Sequence, residues 1–448
     1  MNIPKEVIEN ANFMSPTNIE FYKHISNHKE FFNYENFKDM DLKDHLLRLQ
    51  SWPTFLQKDR LEHIKNICPK IIELVIDIPN RIFKNDINEM GRYFNLPAKI
   101  FDIPVSTKKL ANRFVWRGDF LFSKDVFKCL EINSSANLGG LHTPVWEQMA
   151  ANNPYIGRFL KEQNITPANK DLAKVFFQNI FENRLNGNHE LNIVYLGGKD
   201  ALPEAFIEHL KIVYHQELSV RKMKGNILFV GKAQLEISDD CVFVDKIPIH
   251  IIVEFKHGFI PKSILDLEKK GTLQIYNGSV TMILGNKMNL AVLSEKSDSP
   301  LYNEDEQEII QKYIPWTRAL KSGETVYQGK TVKFPDFALQ NKDLLVLKPC
   351  LGLGGEAVLI GHETDPSIWA QKVEKVVKQR NWVIQEYMAP GELVYQAKPG
   401  GYEIMSTIFG FLFFGAKYGG CILRVMPGME GAVINAHQGA DISVIFED

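Results

Sequence analysis

Cysteine is scarce. Five residues, Cys68, Cys129, Cys241, Cys350 and Cys421, lie scattered through 448 positions, odd in number and with no CxxC pair. That argues against a disulfide framework and against a cysteine-built zinc site, and it points to a reducing compartment. An excess of one charge is lacking too. Lys plus Arg (52) nearly balances Asp plus Glu (54), for a formal net charge of -2, so no global basic field is available to hold a nucleic acid backbone. There is no long hydrophobic run: the most apolar stretch, 404–416, is too short for a membrane-spanning helix of ~20 residues. The opening MNIPKEVIEN lacks the basic-then-apolar plan of a signal peptide. These absences predict a cytoplasmic protein without a nucleic acid or membrane partner.

What is present is ordinary globular composition, 45% apolar and 24% charged, enough for a large core and, at this length, two or three domains. Residues 1–110 read as an N-terminal helical region. Leu61, Ile64, Cys68, Ile71, Ile72 and Val75 recur at helical spacing, with Pro69 expected to kink or interrupt the helix. Residues 111–190 read as a strand hairpin followed by helix. In 191–320, short apolar strands (191–197, 226–230, 250–255) alternate with a helix near 203–214, the pattern of a parallel α/β unit. The polar stretch 321–342 reads as a linker, and 321–448 as a final strand-rich part.

Two segments carry chemistry. Residues 344–361, LLVLKPCLGLGGEAVLIG, predict a β-hairpin whose tip holds Gly352, Gly354 and Gly355. Such a tip can lay backbone N–H groups against phosphate oxygens, and Lys348 at its mouth supplies a point charge. The lysine precedes the glycines and a strand follows them, so this is neither a Walker A loop nor a dinucleotide fingerprint. An ordinary glycine hairpin is the plain alternative. Beyond it, Asp365 and Pro366 predict a helix start, with Trp369, Val373, Val376 and Val377 as its buried face. WVIQEYM (382–388) then predicts an edge strand whose Gln385-Glu386-Tyr387 end faces an adenine, Glu386 accepting from its amino group. A half-buried strand with Glu386 toward water is the alternative there.

In the second segment, WRGDFLFSKDVFKCLEINSSANLGGLHT (116–143), a strand ends in Glu131-Ile132-Asn133. Period-two alternation puts Glu131 and Asn133 on one face, a carboxylate and an amide oxygen suited to Mg²⁺ beside nucleotide phosphates. Arg117 and Asp119 lie on the preceding strand of the same expected hairpin. A polar strand end bonded to its own loop is the alternative.

Taken together these motifs resemble the circularly permuted ATP-grasp ligases, in particular the eukaryotic-type glutathione synthetases and the glutathionylspermidine synthetases. LEINSSANLGGL (130–141) is similar to the family's metal motif, RGDFLF (117–122) to the strand before it, VLKPCLGLGGEAVLIG (346–361) to its Lys-Pro strand and Gly-rich lid, and VIQEYM (383–388) to its adenine-side strand. LGNKMNL (284–290) and YIPWTRAL (313–320) resemble its GxK and Pro-x-Thr elements, and ILRVMPGMEGAVINAHQGA (422–440) its closing Arg-bearing strand and Gly-Ala loop. The order, Glu131 before Lys348, is that of the permuted families. One departure stands out: the family's lid carries a glutamate as a further metal ligand, absent from 352–354 here, with Glu356 just beyond.

The resemblance implies an α/β, ATP-grasp fold with an inserted parallel α/β substrate domain, using ATP and Mg²⁺. It implies an ADP-forming ligase that joins a carboxylate to an amine (amino acid, peptide or polyamine) through an acyl phosphate. Glu131 and Asn133 would hold the metal. Lys287, Lys348, Gly352, Gly354, Gly355, Gln385, Glu386 and Tyr387 would bind the nucleotide. Arg117 and Arg424 would stabilise the acyl phosphate and oxyanion, and Asp119, Ser134, Ser135 and Asn435 would face substrate. Two alternatives stay open: an ATP-grasp phosphotransferase, with His142 or His437 as carrier, and a non-catalytic nucleotide-binding module. A homodimer also stays open.

Overall fold

The computed structural model describes residues 2–26, 49–98, 112–135, 138, 140, 143–168, 170–185, 189–198, 202–255, 260–277, 283–352, 357–398, 401–428, 434–435 and 439–448. Its centre is an antiparallel sheet in the order Asp441–Ser443, Lys417–Pro427, Gly401–Phe414, Val115–Phe122, Phe127–Ser134, with Glu392–Lys398 also paired to Gly401–Phe414. The apolar stretch that is too short to span a bilayer is thus the long middle strand, and its Phe409, Phe411 and Phe413 are fully buried. No described helix is long and apolar enough to cross a membrane.

The N-terminal region is not a separate body. Its helices at Lys5–Met14, Pro16–Ser26, Lys58–Arg81 and Ile87–Phe94 share one apolar core with the central sheet. Thr54–Leu56 pairs in parallel with Ile445–Glu447, and Ser15 Oγ donates to Asp448 Oδ2 at 2.5 Å. The apolar positions of the third helix are buried as their spacing predicts, but that helix runs unbroken from Lys58 through both Pro69 and Pro79 to Arg81. Burial of one face outweighs the missing backbone bonds.

The α/β unit has a four-stranded parallel sheet in the order Gln274–Tyr276, Ile251–Glu254, Ile193–Leu196, Ile227–Val230, with helix Glu204–Val220 crossing between its first two strands in sequence. A small antiparallel sheet (Glu236–Ile237, Val242–Val244, Ile247–Ile249) interrupts the next crossover and was not apparent in the sequence.

A third sheet has the order Thr317–Ala319, Trp382–Glu386, Leu345–Pro349, Leu359–Ile360. The strands expected to flank the Gly-rich tip do pair, Val346 opposite Ile360 and Leu347 opposite Leu359, while tip residues 353–356 lie outside the described residues. The capped helix is there as well: Asp365 accepts from the Ser367 and Ile368 N–H groups, and Trp369, Val373, Val376 and Val377 are buried. Two expectations are corrected. Trp382–Glu386 is an interior strand, not an edge, because Thr317–Ala319 covers its other side. The stretch 321–342 is not a linker; it folds as the hairpin Gly323–Tyr327/Lys330–Phe334 and the helix Asp336–Gln340. Few apolar residues suffice there because the hairpin packs Tyr327 against Trp316 and Phe337 at 5.0 Å each.

The C-terminal strand should therefore be needed by the N-terminus. Phe446→Ala empties a site with 1% exposure and should cost about 3–5 kcal/mol, read as a lower urea midpoint at unchanged m-value.

Candidate active site

Residues 117, 119, 131 and 133 come together by strand register alone. Arg117 lies opposite Asn133 and Asp119 opposite Glu131, so all four side chains rise from one face. Arg117 Nε donates to Asp119 Oδ1 at 2.7 Å and its Nη1 to the Leu138 carbonyl. Asn133 Nδ2 donates to Asp119 Oδ2 at 2.9 Å and to Glu131 Oε1 at 3.0 Å. Two carboxylate acceptors require the nitrogen end of that amide to face them, which turns Asn133 Oδ1 away from both. Gly410, opposite Asp119 on the neighbouring strand, leaves Arg117 its room: a Cβ there would lie 2.8 Å from Arg117 Cδ.

Arg424 reaches the cluster from the other side. It is 6% exposed, and its Nη2 lies 2.8 Å from Asp119 Oδ1. That contact is an ion pair without hydrogen-bond alignment, and among the described residues neither Nε nor Nη2 has a hydrogen-bond partner. Ser134 Oγ is likewise buried and without a partner among them. Buried donors left unspent are costly, and an anionic ligand at this face would use them. Ser135 is buried beside Ser134, and Asn435 is half-buried, its carbonyl accepting from the Ala440 N–H at 3.0 Å.

Lysines from two further segments converge on Glu131. Lys287 immediately precedes helix Met288–Glu295, its N–H donates to the Cys350 carbonyl at 3.0 Å, and its Nζ lies 3.0 Å from Glu131 Oε2. Lys348, on strand Leu345–Pro349, is 8% exposed and donates to Gln385 Oε1 at 2.6 Å. Burial pushes the Lys348 ammonium down to about 8, with Lys287 adding to the shift and Glu131 opposing it. Burial alone would raise the Glu131 carboxyl, but Lys287 and Lys348 hold it well below the usual range. For Arg117, burial disfavours the charge and Asp119 with Glu131 outweigh it, so its pKa rises.

The expected nucleotide-side residues of the third sheet divide. Gln385 is 2% exposed with its amide spent inside the protein, Nε2 donating to Thr317 Oγ1 at 3.0 Å and toward the Leu130 carbonyl at 3.5 Å. Glu386 points to the opposite face, where Tyr327 Oη donates to its Oε1 at 3.3 Å. The Glu386 and Tyr387 N–H groups are taken by the Trp316 and Leu344 carbonyls, as befits an interior strand. The Tyr387 ring meets His362 edge-on at 4.4 Å. Gly352 stands exposed where the hairpin tip begins; Gly354, Gly355, Glu356, His142 and His437 lie outside the described residues. Thr317, quoted only within a Pro-x-Thr element, is the partner that sequence reasoning missed; nothing in spacing links it to Gln385.

Glu131 and Asn133 carry hard oxygens of the type Mg²⁺ takes, but here Asn133 turns its nitrogen end to Glu131 and Glu131 Oε2 is paired with Lys287, so both would have to reorient to share a cation. Around them, however, four cations (Arg117, Arg424, Lys287, Lys348) face two carboxylates (Asp119, Glu131), and among the described residues no group of three or more His, Cys, Asp or Glu gathers. The donor set therefore fits a divalent cation that arrives with a polyanion, not a bare one.

No family model and no curated protein matches the chain. Among solved structures it is similar to the glutathione synthetase-like effector of Globodera pallida in its apo form, with a TM-score of 0.58 at 12% identity over 100% of both chains. The chain has a glutathione synthetase-like fold. It is a mixed α/β structure. A D-alanyl-alanine synthetase A from Vibrio cholerae O1 biovar eltor aligns with a TM-score of 0.28 at 12% identity, over 58% of this chain and 89% of that one.

Asp119 carries the site's balance of charge. Asp119→Ala leaves Arg117 and Arg424 buried without their carboxylate and should lower stability by about 3–5 kcal/mol, with Asp119→Asn less severe. Urea denaturation of both variants checks this.

Proposed function

We propose that the chain is an ATP-dependent carboxylate–amine ligase that forms an amide through an acyl phosphate and releases ADP and phosphate. The observation that supports it most is the convergence around Glu131: the Asp119/Asn133 side of the central sheet and Lys287 from a helix start contact it, and Lys348 from the third sheet acts on it electrostatically. The surplus of positive charge suits a nucleotide polyphosphate, and the glutathione synthetase-like fold is consistent with it.

In this reading Lys348 and Lys287 hold the phosphates, the latter on leaving Glu131. Mg²⁺, held by Glu131 and Asn133 with the nucleotide, would neutralise charge during phosphoryl transfer. A carboxylate oxygen of the substrate attacks the γ-phosphorus and ADP departs. The amine then attacks the acyl carbon, and phosphate leaves with that carboxylate oxygen as the amide forms. Arg117 and the unspent donors of Arg424 stabilise the acyl phosphate and the oxyanion. Ser134, Ser135, Asp119 and Asn435 line the substrate side, and the lid excludes water from the acyl phosphate.

A screen of amino acids and amines for ADP release should find a pair that is required together. With ¹⁸O in the substrate carboxylate, one label should reach inorganic phosphate. AMP and pyrophosphate as products would overturn the reading, and unlabelled phosphate would favour hydrolysis or a phosphotransferase. Glu131→Gln should abolish ADP formation in a protein that still folds but melts at a lower temperature, because Lys287 loses its carboxylate; near-normal turnover would remove Glu131 from the site.

Lys348 also makes a pH prediction. With its pKa lowered to about 8 in the free protein, the lysine is mostly neutral at about pH 9, and phosphate would draw a proton back onto it. Binding of MgATP should then take up close to one proton at about pH 9 and almost none at about pH 7. Calorimetry in buffers of different ionisation enthalpy reads this directly.

A further inference from the structure

Thr317 is 1% exposed and sits directly opposite Gln385 in the third sheet. Its hydroxyl lies 2.8 Å from the Pro315 carbonyl, which can only accept, so the Thr317 proton is spent there. Toward Gln385 the hydroxyl can then only accept, and the group 3.0 Å away must be the amide nitrogen. The Leu130 carbonyl, 3.5 Å from the same nitrogen, imposes the same orientation. With its nitrogen end held, Gln385 turns its oxygen to Lys348 Nζ at 2.6 Å. Thr317 is itself anchored, its N–H donating at 3.0 Å to Ser294 Oγ, which also accepts from Arg318 Nη1 at 2.9 Å.

We infer that Thr317 is a positioning residue for Lys348: acting through Gln385, it sets which end of a buried carboxamide the ammonium meets. A neutral oxygen holds the lysine in place without cancelling its charge, as a carboxylate would, and leaves two N–H donors for phosphate. The reversed amide would set an NH₂ group against an ammonium in a buried site, where such a clash is severe. The Pro-x-Thr segment thereby acquires a role: the proline carbonyl fixes the direction of the whole chain of hydrogen bonds. This inference rests on the assignment of Lys348 to the nucleotide phosphates.

The test is a double-mutant cycle on the full chain, with MgATP affinity measured by calorimetry. Thr317→Val should weaken binding about tenfold, and Thr317→Ser, which keeps the hydroxyl, should stay within about twofold of wild type. In a Lys348→Met background, Thr317→Val should cause no further loss. An equal loss in both backgrounds, or none in the first, overturns the inference while leaving the nucleotide site standing. If Thr317→Val does not fold, Thr317→Ala carries the test: it removes the hydroxyl without setting a methyl group against the Gln385 amide nitrogen and should weaken MgATP about tenfold, and unchanged affinity overturns the inference. Wild type that binds no MgATP at all removes the nucleotide reading, and the role of Thr317 falls with it.

Discussion

The pairing of Val115–Phe122 with Gly401–Phe414 is the constraint on which the rest depends. It joins segments nearly three hundred positions apart in the chain. It sets Gly410 beneath Arg117, so that the arginine can lie across the strand, and through the next strand it brings Arg424 to Asp119. A slip of one residue would send all of these side chains to the other face, where Phe409, Phe411 and Phe413 already fill the core. The aromatic alternation that builds that core thus also fixes the register of the charged face.

Electrostatics then sorts the cations by the partners they are given. Arg117 and Arg424 share a carboxylate in Asp119, and Lys287 has one in Glu131. Lys348 has only the Gln385 oxygen, and burial without an equal counter-charge is why its pKa falls. A site with spare positive charge is unfavourable on its own and becomes favourable once an anion enters. The unspent donors of Arg424 state the same thing in hydrogen bonds. Stability has been given up locally, and the large shared core, which includes the N-terminal helices and the C-terminal strand, offsets the loss.

Local signals survived into the structure wherever one element sufficed to express them. The Asp365 cap with Pro366 behind it, the apolar stripe of 61–75, the strands of the α/β unit and the hairpin carrying Lys348 all follow from spacing and from the chemistry of single residues. The pairing of 117–119 with 131–133 was legible for the same reason, because the two strands are adjacent in sequence. Where several elements had to cooperate, the pattern misled. The polar stretch 321–342 gave no hint that Tyr327 would pack between Trp316 and Phe337. Pro69 gave no hint that its helix would continue.

The sequence by itself therefore determined the inventory: which side chains are charged, which share a strand face, and where strands and helices begin. Tertiary structure alone decided which of them meet. Thr317, Gln385 and Lys348 stand on three strands whose sheet order is not their chain order, so no period links them. Arg424 finds Asp119 only after the long middle strand has paired on both sides. The physical reason is range: backbone propensity and alternation act over a few residues, whereas hydrogen-bond direction and ion pairing act over a few ångströms between segments that only the packed core brings together.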